Sequence, residues 1–140
     1  MEGKCRVLGV GLFVALLTVA GCSSKGKYAD AKQVQEDHIR ATESYLSALD
    51  KAGSAAAVAK AMNSYADDMA KIMPKMKKIA EKYPELKPGN DVPEEFKELA
   101  QRAEQVGQKM GSMMMKVMPY MQDPEVQKAQ QRMHECMISQ

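Results

Sequence analysis

The sequence predicts an all-α protein: a small antiparallel helical bundle of three long helices and a short fourth, occupying residues 28–140. From Lys27 onward Ala, Met, Lys, Glu and Gln dominate, and these residues are strong helix formers. Apolar residues recur every three or four positions, which is the spacing of one face of an α-helix. Prolines, glycines and capping residues interrupt this pattern at three places, and so divide it into four helices.

The first two helices are predicted to form a tight antiparallel hairpin. An apolar stripe runs through Tyr28–Ala52, and Gly53 ends that helix. Ser54 follows directly as the N-cap of the second helix, so the connection is short. Pro74 lacks a backbone N–H and clashes with the turn before it, which predicts a kink before the helix ends at Pro84.

Proline-containing breaks precede the third and fourth helices. Pro84–Asn90 holds two prolines and a glycine in seven residues, which predicts a loop. Asp91 is followed three residues later by Glu94, a capping pattern, so we expect the third helix to begin there. Pro119 is expected to kink and break that helix. Asp123-Pro124 combines an N-cap with a proline at the first helical position, and so begins the fourth helix.

The N-terminal residues have the order of a secretory signal. Lys4 and Arg6 precede a mainly apolar run of 14 residues, Val7–Ala20, and small residues follow. A transmembrane helix is the alternative, but it needs about 20 apolar residues. The run ends in Val19-Ala20-Gly21-Cys22, which resembles the lipobox of bacterial lipoproteins.

That resemblance implies a cellular location and a lipid anchor. Residues 1–21 would be a signal peptide cleaved between Gly21 and Cys22, and Cys22 would carry a diacylglyceryl group and an amide-linked acyl chain. Residues 22–27 would then form a short tether. Ser23 stands where an aspartate would retain an enterobacterial lipoprotein in the inner membrane. The resemblance therefore implies the cell envelope, at the periplasmic face of the outer membrane.

Composition and motifs narrow the function class. Removing Lys4, Arg6 and Glu2 from the 20 basic and 18 acidic side chains leaves 18 and 17, a balance that gives no general attraction to nucleic acid. With Cys22 acylated, Cys136 has no partner for an internal disulfide. No nucleophile elbow, phosphate loop or metalloprotease helix is present, so we expect a protein that is not an enzyme and has no cofactor.

Methionine is the compositional outlier, with 13 residues. Most lie on the apolar stripes that build the bundle, where methionine is a common core residue. Met113–Met115 spans too wide an arc to be buried by one helix, which predicts an exposed surface for a protein partner. The alternative is a periplasmic copper or silver site, because thioethers and thiolates are soft ligands. Its donors would be Met115, Met118, Met121, Met133, Cys136 and Met137.

A third alternative uses the two histidines, His38 and His134. The segment Lys51–Ala56 resembles the first hairpin of periplasmic b-type cytochrome bundles. That resemblance implies a haem or metal held by the two imidazoles. No methionine stands in the first helix where that family places its axial ligand, so His38 would have to replace it.

The body as a whole resembles small uncharacterised exported helical proteins of Gram-negative bacteria. The resemblance is carried by Glu81–Leu86 and by Asp123–Val126, which are turns and caps. It implies a fold and no activity. We therefore expect a lipid-anchored envelope protein that serves as a structural or protein-interaction module.

Overall fold

The computed structural model describes residues 26–87 and 89–138. Within those ranges the chain is helical and has no β-strand, which confirms the all-α prediction. None of these helices combines the length and the apolar character that a membrane span requires. The predicted signal peptide 1–21, with Gly21 and Cys22, lies outside the described residues. The α-helices are α1 (Ala29–Asp50), α2 (Ala55–Lys82), α3 (Lys97–Val117) and α4 (Pro124–Ile138).

Helices α1 and α2 are joined by the short connection that the sequence predicts. The Ser54 hydroxyl accepts a hydrogen bond from the backbone N–H of Ala57 at 3.2 Å, which confirms Ser54 as the N-cap. Helix α1 ends at Asp50, three residues before Gly53. The start of α1 contacts the end of α2 through Asp30 and Lys82, whose Oδ2 and Nζ atoms are 2.5 Å apart.

Helix α2 runs through Pro74 as one element, and the kinks at Pro74 and Pro119 stay predictions. Pro119 lies in a single 3-10 turn, Met118–Tyr120, that follows the end of α3. The predicted start of α3 at Asp91 is wrong. Residues 91–93 are not helical, a 3-10 turn covers Glu94–Phe96, and α3 begins at Lys97. Pro93 explains the difference, because a proline keeps the residue before it out of the helical region.

The Asp123 cap is confirmed. Its Oδ1 atom accepts a hydrogen bond from the N–H of Glu125 at 2.9 Å, and its carbonyl accepts one from the N–H of Gln127. Helix α4 then packs mainly against α2, whereas α3 packs mainly against α1. Helices α3 and α4 are therefore joined by a short turn, but α3 is supported by α1 and α4 is supported by α2.

Three apolar clusters hold these helices together. The central one lies between α1, α2, α4 and the end of α3, and includes the fully buried Val58 and Val126. A second cluster, Ile39, Leu46 and Val106, fixes α3 on α1. The third joins the start of α1 to the segment around the end of α2 and the start of α3. Its buried members are Tyr28, Ala31, Tyr83 and Phe96.

Candidate interaction surfaces

Three exposed methionines form the most prominent apolar surface among the described residues. Met114, Met115 and Met118 are 56%, 68% and 56% exposed, and they follow one another along the outer side of α3 and the turn after it. We call them the methionine surface. Met113 is half-buried and packs on the central cluster, so the prediction that Met113–Met115 cannot all be buried is confirmed. Unbranched thioether side chains adapt to the shape of a partner.

The six predicted sulfur donors differ in exposure and in the residues that they pack against. Met115 and Met118 belong to the methionine surface, while Met121 and Met133 are half-buried against the central cluster. Cys136 is half-buried and is a free thiol. Met133 and Met137 do line one open depression of about 430 Å³ on α4. His134 and three glutamines complete its lining.

The two histidines lie in different environments. His38 is half-buried on α1, and burial lowers its pKa below the ordinary value of 6.5. His134 is exposed on α4. Among residues 26–87 and 89–138, no three His, Cys, Asp or Glu side chains are grouped closely enough to hold a metal ion. The b-type haem or histidine-bound metal therefore stays a prediction without further support from the fold.

A network of ion pairs and tyrosines fixes the start of the described chain, and we call it the N-terminal clamp. The Lys27 ammonium lies 2.7 Å from Oε1 of Glu85, and the Tyr28 hydroxyl donates to the same oxygen at 3.0 Å. The Tyr83 hydroxyl lies 2.8 Å from both Oδ1 of Asp30 and the carbonyl of Lys27. The clamp comprises Lys27, Tyr28, Asp30, Lys82, Tyr83 and Glu85.

The clamp is built from a motif that occurs twice, Lys-Tyr-Xaa-Asp/Glu at residues 27–30 and 82–85. Each lysine and tyrosine of one copy contacts the carboxylate of the other copy, so the two copies are reciprocal partners. Each ammonium also lies over the ring of the tyrosine that follows it, at 4.7 Å and 4.9 Å. Our sequence reasoning missed this site, although the repeated motif was a signal for it.

Charge pairing in the clamp shifts the acidities of its members. The hydrogen bond from Lys27 is the largest cause that lowers the pKa of Glu85 to about 2, and the Tyr28 hydroxyl adds to it. The Lys82 ammonium lowers the pKa of Asp30 in the same way. The pKa values of Lys27 and Lys82 are raised in turn. The two lysines and the two carboxylates of the clamp are therefore charged at neutral pH.

An apolar cleft of about 440 Å³ lies next to the clamp. It is formed by the first turns of α1, the end of α2, the irregular segment after α2 and the start of α3. Gly89, at φ +98°, provides the left-handed turn of that segment, which favours glycine. Glu85 of the clamp is part of the rim. The apolar lining includes Ala31, Val34, Met76, Ile79, Leu86, Val92, Phe96 and Leu99.

No family model, no curated protein and no solved structure matches the chain. The methionine surface, the N-terminal clamp and the apolar cleft are accordingly the features from which a function can be argued.

Proposed function

We propose that the protein is a lipid-anchored protein of the cell envelope that acts as a non-enzymatic interaction module. Acyl chains on Cys22 hold it at the periplasmic face of the outer membrane, and the methionine surface contacts an envelope protein. The lipobox residues Val19-Ala20-Gly21-Cys22 support the anchor. Two acyl groups are enough for stable attachment, because each buried methylene contributes about 0.8 kcal/mol.

The observation that carries the proposal is the separation of the methionine surface from the chain start. Helix α1 has 22 residues, so it is about 33 Å long at about 1.5 Å per residue. The clamp holds its first turn, whereas Asp50 at its other end forms an ion pair with Lys116. Lys116 lies between Met115 and Met118. The methionine surface is therefore at the end of α1 that is remote from the tether.

This separation favours a protein partner over insertion of the methionines into the same membrane. Gly26 is only four positions after Cys22, a reach of at most about 14 Å. The first turn of α1 is then held close to the lipid. With α1 directed away from the membrane, the methionine surface faces the aqueous space. An exposed apolar patch in that position is stabilised by covering it with another protein.

The test is crosslinking in living cells. A photoreactive phenylalanine analogue placed at Met115 of the full chain should give one discrete crosslinked product in the outer-membrane fraction. Gln105, also exposed on α3, is the matched control site and should not give that product. Intact-mass analysis of the same protein should show acylated Cys22 and no leader. The same products from both sites, or an unmodified Cys22, would contradict the proposal.

A soft-metal role is the second candidate, because two thioethers and the imidazole of His134 line the same depression on α4. Titration with Cu(I) under anaerobic conditions tests it. A tight site of one equivalent, lost when Met133 and Met137 are replaced by Leu, would establish this role. Leu at Met114 and Met115 is the matched control, and it should leave such a site unchanged.

A further inference from the structure

The apolar cleft has the size and lining of a binding site for a flexible aliphatic chain. Its volume of about 440 Å³ lies within the roughly 300–1,000 Å³ typical of small-molecule sites. Most of its apolar lining is aliphatic, from residues such as Ile79, Leu86 and Leu99, with Phe96 as the aromatic ring. Ile79, Leu86 and Leu99 are half-buried and pack on the third cluster, so one side of each is open to the cleft. Phe96 is a buried member of that cluster.

Two of the five polar side chains that line the cleft, Glu85 and Asn90, have partners within the protein. Glu85 accepts hydrogen bonds from Lys27 and Tyr28. The side-chain amide of Asn90 donates to the carbonyl of Glu85 at 3.2 Å. These two groups therefore need no polar partner from a ligand. Most of the remaining lining residues are apolar, which favours an apolar ligand.

The clamp holds the first described residues, which begin at Gly26, next to the rim of the cleft. Lys27 is bound to Glu85, which is itself a rim residue. A Cβ built on Gly26 would lie 3.9 Å from the carboxylate of Glu95, the neighbour of Phe96 in the cleft wall. Cys22 is four residues before Gly26, so a group attached to Cys22 starts at most about 14 Å from Gly26.

We infer that the apolar cleft holds one fatty acyl chain of the lipid attached to Cys22. The inference rests on the lipidation in the proposed function. The modified cysteine would carry three acyl chains, and two suffice for anchoring, so one can occupy the protein. A chain attached to the protein has a far higher local concentration at the cleft than a free lipid does. The bound chain would hold the start of α1 against the membrane surface.

The experiment uses the full chain expressed in bacteria that are fed a palmitic acid analogue carrying a diazirine. Light then links the acyl chain to whatever it touches, and mass spectrometry of peptides identifies both ends. We expect links between the peptide of Cys22 and peptides from residues 76–100. Ala80→Trp fills the cleft from an exposed position of its wall, and it should lower this yield roughly tenfold. Ala70→Trp, on the exposed side of α2 outside the cleft, should leave it unchanged.

The outcomes separate the inference from the proposed function. Two results would show that the acyl chain does not bind in the cleft while the lipidation stands. One is label on Cys22 that links only to membrane lipids, and the other is equal yields in the two tryptophan variants. Cleft peptides that carry the mass of a phospholipid would overturn Cys22 as the source of the chain. Absence of label from Cys22 would refute the lipidation and, with it, this inference.

Discussion

A hydrogen bond between the buried hydroxyls of Thr42 and Tyr65 gives the sharpest test of how α1 and α2 are joined. The two side chains are 5% and 6% exposed, and their oxygens are 3.3 Å apart. The Thr42 hydroxyl also lies 2.9 Å from the carbonyl of His38, to which it can donate. The Tyr65 ring stacks on Tyr45 with centroids 4.6 Å apart, which fixes its hydroxyl in place.

This arrangement predicts that removing the two hydroxyls lowers the free energy of unfolding by unequal amounts. Thr42→Val keeps the shape but leaves the Tyr65 hydroxyl buried without a partner, which costs about 1–3 kcal/mol. Tyr65→Phe leaves Thr42 bonded to the carbonyl of His38, so it should cost only about 0.5–1.5 kcal/mol. The stability of the double variant should be close to that of Tyr65→Phe alone, because the double variant has no unpaired hydroxyl. The sum of the single effects should therefore exceed the double effect by about the cost of Thr42→Val, roughly 1–3 kcal/mol.

Urea denaturation followed by far-UV circular dichroism measures these free energies. A cost of about 2 kcal/mol should move the midpoint by roughly 1 M, since m for a small protein is about 1–3 kcal/mol/M. Tyr120→Phe, in the turn before α4, is the control, and its effect should add to that of Thr42→Val within about 0.5 kcal/mol. If Thr42→Val and Tyr65→Phe are simply additive, the hydroxyls do not interact in solution and this account of the interface is refuted.

Three further predictions follow from the clamp, the tyrosine stack and the glycines. Because the pKa of Glu85 is about 2 against an ordinary 4.5, its stabilising effect is present above pH 4.5 and is lost as pH falls towards 2. Glu85→Gln should therefore flatten the acid limb of a plot of urea midpoint against pH. Burial raises the pKa of Tyr45 to about 12, so absorbance titration should show one tyrosine ionising well above pH 10, and stability should fall as pH rises from 10 towards 12. Gly111→Ala meets no atom within 4 Å and should stabilise α3 by about 0.4–1 kcal/mol. Gly89→Ala, at φ +98°, should lower the unfolding free energy by about 1 kcal/mol or more in the same assay.

The parts of the fold that local chemistry determines could be predicted from the sequence. Ser54 and Asp123 cap their helices because each has an oxygen within reach of nearby backbone N–H groups. Asp91 has the same side-chain chemistry, yet no helix begins there. Pro93 restricts the backbone before it, and this restriction outweighed the capping pattern. The error shows that a cap residue predicts a helix start only when the next residues can adopt helical angles.

The candidate sites depend on contacts between distant parts of the chain, and these could not be predicted in the same way. Lys27 and Glu85 are 58 residues apart and meet only after α1 and α2 have packed together. One side of the cleft is formed by the segment after α2, which holds two 3-10 turns, Pro84–Leu86 and Glu94–Phe96, and no periodic apolar pattern describes that segment. The surroundings of the predicted sulfur donors also depend on how the helices pack. Met121 and Met133 turn towards the central cluster, whereas Met115 and Met118 face solvent.

The clamp connects the proposed anchor to the proposed interaction surface. Exposed ion pairs contribute little to stability one by one, but here two lysines, two tyrosines and two carboxylates restrain the same few residues. Without them, residues 26–30 could join the tether and lengthen it by up to about 18 Å. In the proposed lipid-anchored protein, the reciprocal motif would thus limit the distance between the lipid and the first turn of α1. Because α1 is a single helix of 22 residues, that limit would also bound how far from the lipid the methionine surface lies.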